Sequence, residues 1–279
     1  MIRSVRNLDG SKTSAHGGYA AVNGLNLYYE IHGTGRPLVL LHGGFGTIGM
    51  FGELLPALAG RWQVVGVELQ GHGHTADIDR PLRLELMADD VAALLEHLAL
   101  ETADIFGYSM GGGVALQTAI RHPEVVGKLV IVSAPCRSEG WYPEIVASSG
   151  SMNGDAAEAM KDTPMYKAYR ASAPRPQDWP VLVGKMGELM SGDYDWTEDF
   201  AAIEAPTLIV VGDADFVRLE HAAEMYTLMG GGKVDVQGSM PASQLAILPG
   251  TNHYTSFARA DLLLPIVMPF LKEHEAAPV

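Results

Sequence analysis

The sequence predicts an α/β fold: a mostly parallel sheet covered by helices on both faces and broken by one helical insertion. Three observations carry this expectation. From residue 37 onward, apolar runs of strand length alternate with stretches whose apolar residues recur at helical spacing. That alternation lapses between residues 135 and 202 and then resumes. Residues 102–106 also lead through Gly107-Tyr108-Ser109-Met110-Gly111 straight into a helical run at 112–121. A Gly-x-Ser-x-Gly turn between strand and helix holds a serine hydroxyl above the sheet.

In chain order, residues 1–18 are polar and aperiodic and read as a loose arm. They hold basic residues but no apolar run, so no secretory leader is expected. Residues 19–22 and 25–31 are β-rich runs joined by Asn23-Gly24, the dipeptide suited to a tight hairpin. The continuous apolar run 37–41 reads as a strand buried on both faces. It ends in His42-Gly43-Gly44-Phe45-Gly46, a loop whose glycines leave backbone N–H groups open. A short helix at 50–59 and a buried strand at 62–69 follow.

The turn Gln70-Gly71-His72-Gly73-His74-Thr75 comes next. His72 and His74 could pair on a metal, but no cysteine joins them, and Asp77 falls one place late for an H-x-H-x-D-H site. A glycine-rich turn is the preferred reading, and no metal is expected. The helix at 84–98 places Leu84, Met87, Val91, Leu94, Leu95 and Leu98 on one face, with His97 suited to its C-terminal dipole. After the serine turn a strand is expected at 128–132. The regular order resumes with a strand at 206–211, a helix at 217–229, a strand at 244–248 and a helix at 256–272. The expected division is an arm at 1–18, a core at 19–134 and 203–279, and a helical cap at 135–202.

Composition narrows the function. A formal net charge of −14 argues against nucleic-acid and anionic-membrane partners and favours cationic ligands through long-range steering. The apolar stretch 262–271 is too short to span a membrane and contains Pro265 and Pro269. Cys136 is the sole cysteine, so no intrachain disulfide can form. The expectation is a cytoplasmic protein acting on a small molecule.

Two further loops fall at the carboxyl ends of strands, where open α/β sheets bind ligands. These are Gly212-Asp213-Ala214-Asp215 and Gly250-Thr251-Asn252-His253. A serine hydroxyl becomes a nucleophile when an adjacent base takes its proton, and an acid must orient that base. Ser109 suits the nucleophile, His253 the base and Asp215 the acid, with Asp213 the alternative acid. They run in the order Ser, Asp, His.

With these motifs in place, residues 19–272 resemble the α/β-hydrolases. The resemblance implies an α/β-hydrolase fold: an eight-stranded, mostly parallel sheet with a cap after the sixth strand. It implies no cofactor, and an oxyanion hole built from the Met110 N–H and that of Gly44, or of Phe45 if the extra glycine shifts the loop. Family members that are haloalkane dehalogenases or epoxide hydrolases carry Asp where Ser109 stands. Serine implies acyl transfer to water, by an esterase, lactonase, amidase or C–C bond hydrolase. Val67-Glu68-Leu69-Gln70-Gly71-His72-Gly73-His74-Thr75 and Gly140-Trp141-Tyr142-Pro143 are also similar to the serine-dependent macrolide esterases. Glu68 and Thr75 depart from the commoner Asp-x-x-Gly-x-Gly-x-Ser turn.

That similarity implies opening of a macrolactone ring. The expected cap offers Trp141, Tyr142, Met165, Tyr169, Met186 and Met190 as substrate contacts, within a wider set that includes Met152, Met160, Tyr166, Trp179, Tyr194 and Trp196. Many of these aromatics and methionines would serve only as the cap's own core. Acidic residues outnumber basic ones there, which with the apolar bulk suggests a large ester or lactone bearing an amine. A perhydrolase on the same residues, or a ligand receptor without turnover, stays open.

Overall fold

The computed structural model describes residues 4–6, 12–14, 16–234 and 241–272. Strands β1 (Ser4–Arg6) and β2 (Lys12–Ser14) pair antiparallel as a separate ribbon. The expected loose arm is therefore corrected where it is described; residues 1–3, 7–11 and 15 lie outside the described residues. The main sheet holds β3 (His16–Val22), β4 (Leu25–His32), β5 (Pro37–Leu41), β6 (Gln63–Glu68), β7 (Ala103–Tyr108), β8 (Val126–Val132), β9 (Thr207–Ala214) and β10 (Gln244–Asn252). β3 begins within the stretch read as arm, because His16, Gly17 and Gly18 pair with Ile31, Glu30 and Tyr29 of β4. Asn23 and Gly24 take φ of 47° and 82°, the left-handed pair that a two-residue hairpin requires.

The eight strands lie in the order β10-β9-β8-β7-β5-β6-β4-β3. β4 runs antiparallel to both neighbours, and every pairing from β6 across to β10 is parallel. Helices α1 (Leu54–Ala59), α2 (Leu84–His97) and α3 (Met110–Arg121) follow strands in turn. Between β8 and β9 come α4 (Pro143–Ser149), α5 (Gly154–Ala159), α6 (Pro164–Ser172), α7 (Trp179–Ser191) and α8 (Thr197–Ala201). Helices α9 (Leu219–Leu228), α10 (His253–Ser256) and α11 (Ala260–Lys272) complete the chain.

Period-two alternation divides the core between the sheet's two faces. Leu38, Leu40, Val64 and Phe106 pack with Leu54 and Leu58 of α1 and Leu263 and Val267 of α11. Val39, Leu41, Val65 and Ile105 face the other way, onto Met87 and Val91 of α2 and Val114 of α3. Helix α11 continues through Pro265 and Pro269 because both sit exposed, one turn apart, where the lost backbone bonds face solvent. The helix expected at 256–272 is instead divided. Asn252 and Thr255 form a capping box that starts α10 early, and α11 begins after a break.

The helices inserted after β8, the sixth strand of the main sheet, carry their own start signals. Asn153 accepts from the Asp155 and Ala156 N–H groups, and Thr163 from that of Tyr166. Trp179 anchors this layer: its Nε1 donates to the Ala157 carbonyl at 2.9 Å, and its ring packs between Tyr166, Tyr169 and Phe45. Among the described residues no helix is long and apolar enough to cross a membrane.

β5 sits between β6 and β7, so the chain leaves β5 toward one side of the sheet and later returns on the other. The loops after β5 and β7 therefore diverge and open a crevice at their carboxyl ends. The His42 loop and Ser109 both stand there.

Candidate active site

Ser109 occupies the turn between β7 and α3 at φ 53° and ψ −118°, a conformation that non-glycine residues rarely adopt. The turn closes so tightly that a Cβ on Gly107 would lie 2.2 Å from the Gly111 carbonyl oxygen. One on Gly111 would lie 2.2 Å from that of Leu41. Glycine is required at both positions to let the helix reach the sheet. The Ser109 N–H donates to the Val132 carbonyl at 2.8 Å, which fastens the turn to β8.

The three predicted side chains meet. His253 Nε2 lies 3.0 Å from Ser109 Oγ, and His253 Nδ1 lies 2.8 Å from Asp215 Oδ1. Burial pushes the Asp215 carboxyl up, but the His253 hydrogen bond and charge, with donors from Ser133 and Gly212, outweigh it and hold it below its ordinary value. An ionised Asp215 leaves the Nδ1 proton on His253, so Nε2 is free to accept from the serine hydroxyl. Phe216 stacks on the imidazole at 4.4 Å with 8° between the planes, and the Tyr108 hydroxyl donates to the His253 carbonyl at 2.6 Å. Asp213, the alternative acid, is exposed and turns away from the imidazole. It accepts the N–H groups of Gly250 and Thr251 at 2.8 and 3.1 Å, bracing the loop that carries His253.

The N–H groups of Gly44, Phe45 and Met110 have no acceptor among the described residues. Phe45 takes φ 58°, and the Gly43 carbonyl beside it is held by the Gly46 N–H at 3.0 Å and by His42 Nδ1 at 2.8 Å. His42 Nε2 in turn accepts from the Leu69 N–H. Burial, with the neighbouring His72, pushes the His42 pKa down to about 3, and burial pushes that of His72 down to about 4. Both rings are therefore neutral packing elements beneath the loop.

His72 and His74 do different things. His72 Nδ1 donates to the Gln70 carbonyl within the turn, whereas His74 Nδ1 meets Glu68 Oε2. Glu68 also accepts the Ile48 and His74 N–H groups, and Thr75 Oγ1 donates to the Glu68 carbonyl while accepting from Tyr28 N–H. The two residues that depart from the commoner turn thus fasten it to β4 and to the segment after the His42 loop.

A cavity of about 830 Å³ opens at Ser109 and His253. Gly44, Phe45 and Met110 border it, as do four of the six predicted contacts: Trp141, Met165, Met186 and Met190. The other two are corrected. Tyr142 turns outward and is 41% exposed, with its N–H bound to the Phe216 carbonyl. Tyr169 is buried in the helical layer against Trp179, its hydroxyl donating to the Arg175 carbonyl. Sequence reasoning missed Met50, Phe216 and Phe257. The signal for the last two was their place, Phe216 directly after the acid and Phe257 one helical turn beyond the base. Among the described residues no lining side chain is Asp, Glu, Lys or Arg, so the acidic excess of residues 135–202 does not reach the cavity.

Residues 36–148 match the family model of the alpha/beta hydrolase fold. The AB hydrolase superfamily protein YisY of Bacillus subtilis is 30% identical over 213 residues, covering 68% of this chain and 78% of YisY. The pimeloyl-acyl-carrier-protein methyl ester esterase of Neisseria meningitidis is 36% identical over 134 residues, 45% of this chain and 50% of that protein. YisY apart, the chain spans about half the length of the curated relatives it matches, others of which are named for carbamate hydrolysis. The crystal structure of the enol-lactonase from Burkholderia xenovorans LB400 superposes with a TM-score of 0.68 at 23% identity. It covers 91% of this chain and 100% of the lactonase, a likeness of fold.

Proposed function

Because the chain belongs to the α/β-hydrolase superfamily, we propose that it hydrolyses carboxylic esters or lactones of large apolar compounds through an acyl-enzyme on Ser109. The observation that carries this reading is the Ser109–His253–Asp215 chain of hydrogen bonds at the floor of an uncharged cavity. Ser109 Oγ attacks the carbonyl carbon as its proton passes to His253 Nε2. The oxyanion is received by the Met110 N–H and that of Gly44 or Phe45, each such donor contributing roughly 3 kcal/mol in comparable sites. His253 then gives the proton to the departing alkoxide. Water, deprotonated by the same imidazole, releases the acid and restores Ser109.

A macrolactone of the macrolide class is the proposed substrate. Its bulk suits the cavity and its methionine walls, since an unbranched thioether side chain adapts to an irregular apolar guest. A basic amino sugar finds no acidic partner among the lining residues, so it projects toward the mouth and the surrounding negative field. The esterase relative supports the ester, and the relatives named for carbamate hydrolysis make the carbamate the competing bond. The test is incubation with macrolides, simple lactones, long-chain esters and matched carbamates, read by mass. The expected product is the macrolide plus one water, with its lactone now a carboxylate. Intact macrolides with cleaved long-chain esters would remove the macrolide and keep the esterase; cleavage of carbamates alone would overturn the ester reading.

A further inference from the structure

Within the cavity, away from Ser109 and His253, one polar arrangement stands out from the apolar walls. Trp141 Nε1 lies 3.1 Å from the Tyr194 hydroxyl oxygen, and both residues line the cavity. An indole N–H can only donate, so the phenol oxygen accepts, and its own proton must point elsewhere. Among the described residues no acceptor takes that proton. Accepting one hydrogen bond also polarises a hydroxyl and strengthens the one it donates.

The pair is held rigidly. Tyr194 stacks on Trp196 at 4.3 Å, its carbonyl accepts from the Ser138 N–H at 2.8 Å, and the adjoining residues Asp195 and Arg137 form a backbone bridge. The Trp141 ring meets His253 edge-on at 5.9 Å. The indole thus contacts both the base and the hydroxyl. Burial pushes the Tyr194 phenol well above its ordinary value, so it keeps its proton wherever a serine hydrolase works.

We propose that the Tyr194 hydroxyl, oriented by Trp141, is a substrate-recognition site that donates a hydrogen bond to a neutral acceptor oxygen, a carbonyl, ether or hydroxyl, on the part of the ester or lactone substrate that fills the apolar cavity. The proposal rests on the esterase reading and adds a demand to it: the substrate carries a second oxygen at a fixed distance from the ester. A cation is disfavoured at this point, since among the described residues no carboxylate lines the cavity to balance it.

The test uses a series of long-chain esters in which one CH₂ is replaced by C=O or by oxygen at successive positions, with a plain alkyl ester and an ammonium-bearing ester as references. Binding is measured by calorimetry to Ser109→Ala protein, which cannot form the acyl-enzyme, and hydrolysis is measured with the unaltered protein. At least one oxygenated ester should bind about tenfold more tightly than the alkyl ester. Tyr194→Phe on the same background should abolish that preference while leaving alkyl-ester binding within about twofold. Trp141→Phe should reduce the preference by less than Tyr194→Phe does. The proposal is overturned if no position gives a preference, if Tyr194→Phe weakens alkyl and oxygenated esters equally, or if the ammonium ester binds best. Should the binding preference behave as expected while no ester is hydrolysed, the recognition site stands and the esterase reading fails.

Discussion

Ser133 Oγ donates to Asp215 Oδ2 from a residue held at φ 57° at the end of β8, so the carboxylate is gripped from the strand beside its own. The other oxygen receives His253 and the Phe216 N–H. Ser133→Ala removes one donor while leaving the strand end in place. We expect kcat to fall about tenfold with KM within about twofold, because a loosened carboxylate misorients the base without touching the substrate. An equal loss through KM alone would assign Ser133 to substrate binding.

Asp215→Asn should cost about 10⁴-fold in kcat, because an amide in its place no longer enforces the Nδ1–H tautomer of His253. Asp213→Asn keeps one oxygen for the Gly250 and Thr251 N–H groups and should cost less than about tenfold. Steady-state kinetics of the two variants on one ester decides. The reverse ranking would move the acid to Asp213.

Two glycines make a matched pair for stability. An alanine methyl at Gly111 meets backbone of Leu41 and His42, which cannot move aside, so Gly111→Ala should abolish folding or cost more than about 4 kcal/mol. Gly184 lies inside α7 with open space where a Cβ would go, and Gly184→Ala should stabilise by about 0.5–1 kcal/mol. Denaturant unfolding of both variants measures the difference. A tolerated Gly111→Ala would contradict the tight elbow.

His42 and His72 make stability depend on pH. Their folded pKa values of about 3 and about 4 lie below the unfolded 6.5, so the unfolded chain binds more protons between those limits. Their contribution is complete above about pH 6.5 and is lost as the pH falls, down to about 4 for His72 and about 3 for His42, at about 1.4 kcal/mol per unit for each proton. Tm should drop over that window, and His72→Asn should make the drop shallower. An unchanged slope would mean that His72 is already protonated in the folded protein.

Much of the site was legible because its residues follow strands whose apolar runs are unmistakable. The runs 38–41 and 208–211 are wholly apolar, and 105–106 is apolar up to the Gly107 turn, so each reads as a strand buried on both faces that delivers its loop to the sheet's edge. The helical layer was legible as a type and not in detail. Tyr142 and Tyr169 lie on short helices and turns of one segment, and whether a ring faces the cavity, solvent or Trp179 depends on packing angles that no residue spacing encodes. β3 escaped notice in part because glycines and a histidine form its first half, and there the register against β4 overrides local propensity. The acidic excess misled for a similar reason: Glu158, Asp178 and Asp193 make ion pairs or hydrogen bonds near the surface and never face the cavity.

The central claim is that Ser109 is the nucleophile, and covalent labelling with a fluorophosphonate tests it most directly. Intact mass and peptide mapping should find one phosphonyl group per chain, on Ser109, with labelling lost in Ser109→Ala and slowed about 10³-fold or more in His253→Ala. Stoichiometric labelling of the Ser109→Ala protein, or an adduct mapped to any other residue of the unaltered chain, would contradict it.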